Sequence, residues 1–345
     1  MDTKEKLLQG FDEYKKIQEY FKENFDSFLS AVCEELIAYY GEEYRDIITY
    51  RLYNTNFIFY VKETESLVGI LDKILDKENI NERYKIIKKK HKQVTNYLKE
   101  VKKHVDDFNS KNDDLEVIKI VNRKIFDTSD KDYSEVDKAT RETEINRLMF
   151  KFGNTCAFFT PIYLSDSNMI EHDIIIPLFQ CGDASIIHEM IHAIMSQDLL
   201  LIDGNTPYHK TGLAITINRD AEELLEEWIT ELEAKRIDKN IKKKGIKLID
   251  EFFPKKVSRC SYDTFIPFIE GFCDYFKDIL TYSRITLDKC YLLEQIDRDN
   301  YYDFMVAIVD CYRSYFEEYD FYYHKKVFEE ELEKMKSSYS VLKLK

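Results

Sequence analysis

The chain has 345 residues, 44% of them apolar, enough for a real core in one large domain or two to three smaller ones. Its 65 acidic and 51 basic residues leave a formal net charge of −14, which disfavours duplex DNA and anionic membranes as main partners. Nucleotide chemistry finds no support either, because neither a G-x-G-x-x-G nor a Walker-type G-K-[ST] stretch is present.

Seven cysteines (Cys33, Cys156, Cys181, Cys260, Cys273, Cys290, Cys311) are scattered, odd in number and free of C-x-x-C pairs, which reads as reduced thiols. The opening residues Met1-Asp2-Thr3-Lys4 run into an amphipathic helix without an apolar leader. No apolar run approaches the ~20 residues that span a bilayer. A cytoplasmic protein is expected, although a leaderless exported effector would look the same.

Nine glycines and five prolines against 25 tyrosines and 23 phenylalanines predict long helices. Residues 1 to about 110 read as helical. Leu7, Leu8, Phe11, Tyr14, Ile17, Phe21, Phe25, Phe28, Val32 and Leu36 fall mostly at helical steps. Tyr84, Ile87, His91, Val94, Leu98, Val101, Val105 and Phe108 form a coiled-coil-like seam, with 67–75 as its antiparallel partner and the lysines between Lys85 and Lys103 as a solvated face. A polar break at 109–114 marks a first boundary. Residues 115–121, 156–164 and 173–179 read as strands, and Pro177 makes the last an edge strand. Asp183 is the expected N-cap of a helix ending near Gln197. A short strand at 212–218, a helix from about Asp220 to Asp238 and a tyrosine-rich helical region from about Glu251 complete the chain.

That central helix carries His188-Glu189-Met190-Ile191-His192, an H-E-x-x-H sequence. Positions i and i+4 lie on one helix face, so two imidazoles there reach one metal ion, and zinc is the default. Glu189 points off that face, toward a water on the metal. The competing reading is a surface helix with two solvated histidines. Ile186, Ile187, Met190, Ile191, Ile194 and Met195 argue against it, because they make the helix apolar nearly all round. Histidines and a glutamate on a buried helix need partners, and a metal supplies them.

A catalytic zinc takes three protein ligands and keeps one position open. The acidic helix Glu222–Glu233 is the natural source of the third. Leu224, Leu225, Trp228 and Leu232 mark its buried side, and Glu227 and Glu231 lie at the margin of that side. Glu222, Glu226 and Glu233 read as more solvated, and Glu223 is the rival of Glu227.

H-E-x-x-H followed by Glu226-Glu227-Trp228-Ile229-Thr230-Glu231 resembles the gluzincin metallopeptidases, the group that includes thermolysin, whose second site helix often reads N-E-x-x-[ST]-[DE]. The match covers Glu227, Thr230 and Glu231 and departs at Glu226. It spans roughly residues 115–240. The resemblance implies that His188, His192 and Glu227 hold one zinc ion per chain, with water in the fourth position. It makes Glu189 the general base and places Glu231 on a ligand histidine. It also implies a Tyr or His oxyanion donor, with Tyr208 and His209 as first choices and Tyr262 or Tyr282 as later ones.

The expected fold is α+β and predominantly helical: a zincin-like core with a small mixed sheet at 113–250, a helical N-terminal region at 1–112, and a C-terminal helical region at 251–345 completing the cleft. The expected function is zinc-dependent hydrolysis of peptide bonds. The alternative is a regulatory or protein-binding module that keeps the core with little catalysis. The expected partners are a peptide or protein substrate, with the N-terminal helices as a surface for a protein partner and neither nucleic acid nor membrane involved.

Overall fold

The computed structural model describes residues 3–60, 124–151, 157–164, 169–177, 181–203, 206–215, 221–252, 262, 265–316 and 320–343. The seam at 84–108 with its partner at 67–75, the basic run, the break at 109–114 and the strand at 115–121 lie outside these residues.

The described chain is mostly helical. It runs α1 (Thr3–Tyr40), α2 (Arg45–Tyr53), β1 (Asn56–Tyr60), β2 (Lys124–Asp127), α3 (Glu135–Lys151), β3 (Phe158–Tyr163), β4 (Ile170–Pro177) and α4 (Asp183–Ile194). The short strands β5 (Leu201–Asp203), β6 (Thr206–Tyr208), β7 (Lys210–Thr211) and β8 (Ala214–Ile215) follow. Then come α5 (Ala221–Lys243), α6 (Ile249–Phe252), α7 (Ile266–Tyr275), α8 (Lys277–Thr286), α9 (Lys289–Gln295), α10 (Arg298–Phe316) and α11 (Phe321–Lys343). None of the described helices is long and apolar enough to cross a membrane.

Four strands form one mixed sheet in the order β2-β1-β4-β3, with β1 and β4 parallel and the other pairs antiparallel. This corrects two expectations. Residues 56–60 form a strand inside the stretch read as helical, because Asn56-Phe57-Ile58-Phe59-Tyr60 is a short apolar run without a period to distinguish the two states. The strand ending at Pro177 is an inner strand, flanked by β1 and β3. Pro177 is its last residue, paired with Tyr60, so the missing N–H costs little of the ladder. Among the described strands, the edge beside it is β3.

One face of the sheet carries Phe57, Phe59, Ile174 and Ile176, which join one core with Phe21, Phe25 and Phe28 of α1 and with Ile186, Ile187, Met190 and Ile191 of α4. Phe25 packs against Phe57, Phe59 and Phe126 with ring centroids 5.0, 6.0 and 5.3 Å apart. The helical stripe of α1 therefore docks on the sheet. On the opposite face Arg141 of α3 pairs with Asp173 and Glu171. A second core joins Leu225, Trp228, Ile229 and Leu232 of α5 to α7 through α11. Its centre is Trp228 stacked on Phe265, 4.4 Å apart and nearly parallel. The far half of α5, with Ala234, Ile237 and Ile241, belongs to the first core. One helix thus threads both cores.

Local details differ as well. The helix α4 ends at Ile194, three residues earlier than expected, and Gly182 is its N-cap. Asp183 caps something else: its carboxylate accepts the backbone N–H groups of Leu248, Ile249 and Asp250, at 3.0, 2.7 and 3.3 Å. Of the strand expected at 212–218, Ala214–Ile215 form β8, which pairs with β7 in a small hairpin where Gly212 takes the left-handed φ of 57°, and 216–218 lie outside the described residues.

Candidate metal centre

The helix α4 is held from all sides, which is why its polar residues are aimed rather than solvated. Ile186, Ile187, Met190, Ile191 and Ala193 are wholly buried. Its C-terminal end is tied down by Arg51 of α2, whose Nη1 donates to the carbonyl of Ile194 at 2.7 Å and to that of Ile285 in α8 at 3.0 Å. A guanidinium there satisfies carbonyls that the helix leaves open.

Facing α4 is α5. Threading two cores buries α5 nearly all round, and that overturns the reading of Glu222, Glu226 and Glu233 as solvated: they are 7%, 2% and 5% exposed. Buried carboxylates require partners. Arg284 of α8, itself fully buried, supplies them. Its Nη2 and Nε lie 2.7 and 2.9 Å from Glu226, and its Nη1 lies 2.7 Å from Glu233. Tyr40 of α1 donates a further bond to Glu233 at 2.6 Å, and the N–H of Leu213 donates to Glu226 at 3.2 Å. Glu222 is paired with Lys289.

Between the two helices the expected residues converge. His188 Nε2 and His192 Nε2 are 3.1 Å apart. The Glu227 carboxylate lies 3.2 Å from the first nitrogen and 3.3 Å from the second, one oxygen to each. Among the described residues this is the one group of His, Cys, Asp and Glu side chains that could hold a metal ion. Glu223 is exposed and outside it. On the other side of the His188 ring, Nδ1 meets Glu231 at 3.0 Å, and Lys235 holds the second oxygen of Glu231 at 3.2 Å. Glu231 is buried between these two contacts.

The charges respond to this crowding. Burial opposes a charged imidazole at His188, but hydrogen bonds to Glu227 and Glu231 outweigh it and raise the ring well above its ordinary value. Glu227 moves the other way: against its burial, the two histidines hold its carboxyl far below the usual carboxylate range. The adjacent Glu189 is raised by burial, with both histidines opposing the shift. Its Oε2 accepts the backbone N–H of Phe159, on edge strand β3, at 2.7 Å.

Tyr208 and His209 are placed less directly. The Tyr208 carbonyl accepts a bond from Gln197 at 3.0 Å. His209 is wholly buried, with Nδ1 3.3 Å from the Thr211 hydroxyl and its ring 6.2 Å from the rings of both Phe159 and His172. Burial, then the neighbouring His172, lowers its pKa to about 3, so it is a neutral imidazole. The Phe159 ring also stacks on His192, 6.5 Å away, and meets His172 at 5.2 Å, so this phenyl packs against three histidines.

Three residues near the site carry no local signal in the sequence. Phe159 and Arg284 are brought in by the sheet register and by the packing of α8. Tyr312 of α10 packs on Trp228 and Phe265, 6.5 and 5.6 Å away. Burial raises its phenol, and the charge of Glu227 raises it further. Tyr262 and Tyr282, the later choices for a donor, are partly buried and exposed. Comparison with family models, with curated proteins and with solved structures finds no match to this chain.

Proposed function

We propose that this protein is a zinc-dependent hydrolase of peptide bonds, with His188, His192 and Glu227 holding one zinc ion. The observation that carries the reading is the spacing of the three donors. Ligand atoms on a tetrahedral zinc at 2.0–2.1 Å from the metal are about 3.3–3.4 Å from one another. The separations here are 3.1, 3.2 and 3.3 Å. Two ring nitrogens facing each other at that distance repel unless a proton or a cation lies among them, and two imidazoles with one carboxylate are a donor set that suits zinc. Zinc held there would polarise a carbonyl and lower the pKa of water.

The remaining chemistry falls to the chain. Glu189 is anchored through one oxygen by Phe159, which leaves Oε1 to take a proton from the attacking water. As the water oxygen bonds to the carbonyl carbon and the C–N bond breaks, that proton passes to the leaving nitrogen. Glu231 accepts the Nδ1–H of His188, fixing the tautomer that presents Nε2 as a ligand. The donor to the developing oxyanion is assigned to Tyr312, whose ring packs on Trp228, the residue after Glu227.

The test is elemental analysis of the purified chain beside Glu227→Ala, with hydrolysis of a casein digest followed in parallel. About one zinc per chain, lost in Glu227→Ala, is the expected result, with cleavage abolished in a Glu189→Gln variant that keeps its zinc. Absence of zinc from the wild-type chain after metal is added back would falsify the reading.

A further inference from the structure

One short turn ties together the two helices that carry the metal donors. Gly212 and Leu213 connect β7 to β8, and their successive backbone N–H groups go to different helices. Gly212 donates to the carbonyl of Met195, at the end of α4, at 2.7 Å. Leu213 donates to the Glu226 carboxylate on α5 at 3.2 Å. Met195 lies three residues past His192, and Glu226 immediately precedes Glu227. β7 is fastened to the end of α4 as well. Gln197 N–H donates to the Lys210 carbonyl at 3.2 Å, and the Ser196 and Thr211 hydroxyls lie 3.0 Å apart. The Ser196 hydroxyl reaches back to the His192 carbonyl at 2.7 Å. On the α5 side, Leu213 is buried in one core with Leu225 and Trp228. Only glycine fits this turn. Its φ is left-handed, and a Cβ built there would overlap the Glu226 carboxylate. That carboxylate is itself held by Nη2 and Nε of Arg284, so a push from the turn is passed on to α5.

Resting on the metallopeptidase reading, we propose that Gly212 is a positioning residue of the metal centre: its turn sets the separation of α4 and α5. Through that separation it sets the distances from the Glu227 carboxylate to the two histidine nitrogens, 3.2 and 3.3 Å. A zinc ion bonded at about 2.0–2.1 Å tolerates little change in them. Glu226, the position at which this chain departs from the gluzincin pattern, is the part of α5 on which the turn bears. The dependence is reciprocal, because a metal that draws the two helices together also tightens the turn between them. Left-handed strain alone has no such effect. Gly245 provides the contrast: its φ of 76° is also left-handed, but an added Cβ there meets no described atom within 4 Å.

The test measures zinc affinity of the full chain by chelator competition, with thermal melting of the metal-free chain as the check on folding. Gly212→Ala should weaken zinc binding about tenfold, and Gly245→Ala should leave it within about twofold. Glu226→Ala removes the group that the new Cβ would strike and leaves Arg284 paired with Glu233. In that background Gly212→Ala should again change zinc affinity by less than about twofold. An equal loss in both backgrounds, an equal loss from Gly245→Ala, or no loss in a folded Gly212→Ala would overturn the positioning role and leave the metal centre standing. Should Gly212→Ala not fold, hydrogen exchange in the wild-type chain decides. Zinc should slow the Gly212 and Leu213 amides more than that of Gly245, and equal slowing would overturn the proposal. A wild-type chain that binds no zinc would overturn the metallopeptidase reading, and this proposal with it.

Discussion

Arg284 forks onto Glu226, the residue immediately before Glu227, with Nη2 and Nε at 2.7 and 2.9 Å. Its third nitrogen reaches Glu233 two turns along the same helix. One cation from α8 thus pins the stretch of α5 that carries Glu227 and Glu231. Arg284→Met leaves two buried carboxylates without their cation and should cost about 3–5 kcal/mol. Thermal unfolding measures the loss. The triple variant Arg284→Met, Glu226→Gln, Glu233→Gln should recover much of it, since no buried charge is then left unpaired. A wild-type melting temperature in Arg284→Met would remove Arg284 from this role.

Glu231 would act on a bound zinc only through the His188 ring it touches. Glu231→Ala should weaken zinc binding about 10–100-fold, the usual effect of losing the acceptor behind a ligand histidine. Lys235→Ala, which removes only the partner of Glu231 at its outer oxygen, should have a much smaller effect. Competition with a chromophoric chelator reads both affinities. Equal affinities in wild type and Glu231→Ala would make Glu231 a structural carboxylate only.

Substitution at Tyr312 and at Tyr208 separates two of the candidates for a phenolic donor. Tyr312 feels the charge of Glu227, whereas the described bond at Tyr208 goes through its carbonyl. Tyr312→Phe should lower kcat about 10²-fold with zinc content unchanged, the scale of losing one oxyanion donor. Tyr208→Phe should change little. Steady-state kinetics on one cleaved peptide decides between them, and the reverse pattern would restore Tyr208.

His209 makes stability depend on pH in a definite direction. Its ring titrates near 6.5 when free and at about 3 when folded. Between those values the unfolded chain holds the proton and the folded chain does not, so the protein gains stability as pH rises through the window and loses it as pH falls below about 6.5. From pH 7.5 to 5.5 the loss is roughly 1 kcal/mol. His172, also lowered chiefly by burial, adds to it in the same sense. Denaturant melts of metal-free wild type and His209→Gln at the two pH values should show a smaller difference in the variant. Identical pH dependence would place the protonation of His209 outside the unfolding equilibrium.

Much of the helical character and the heart of the site could be read from residue order, because both depend on short-range periodicity. The steps from Ile17 to Leu36 put one stripe of α1 in the core, and four-residue spacing puts His188 and His192 on one side of α4 whatever surrounds it. Glu227 and Glu231 were legible as a pair for the same reason. The failures occurred where period gives no answer. Asn56–Tyr60 is too short to show one, and nothing local tells Pro177 which strands flank it.

What the sequence determined by itself was therefore the set of donors and their presentation along two helices. Only the tertiary structure decided how those helices are held and what surrounds them. The burial of Glu226 and Glu233 follows from α5 threading two cores, which forces a cation from 58 and 51 residues away into their midst. The bond from Phe159 to Glu189 follows from β3 being the outermost of the described strands on that side. The cap that Asp183 provides goes to backbone 65–67 residues downstream of it. Such relations arise because burial makes each polar group find a partner in space, and sequence separation sets no limit on where that partner lies.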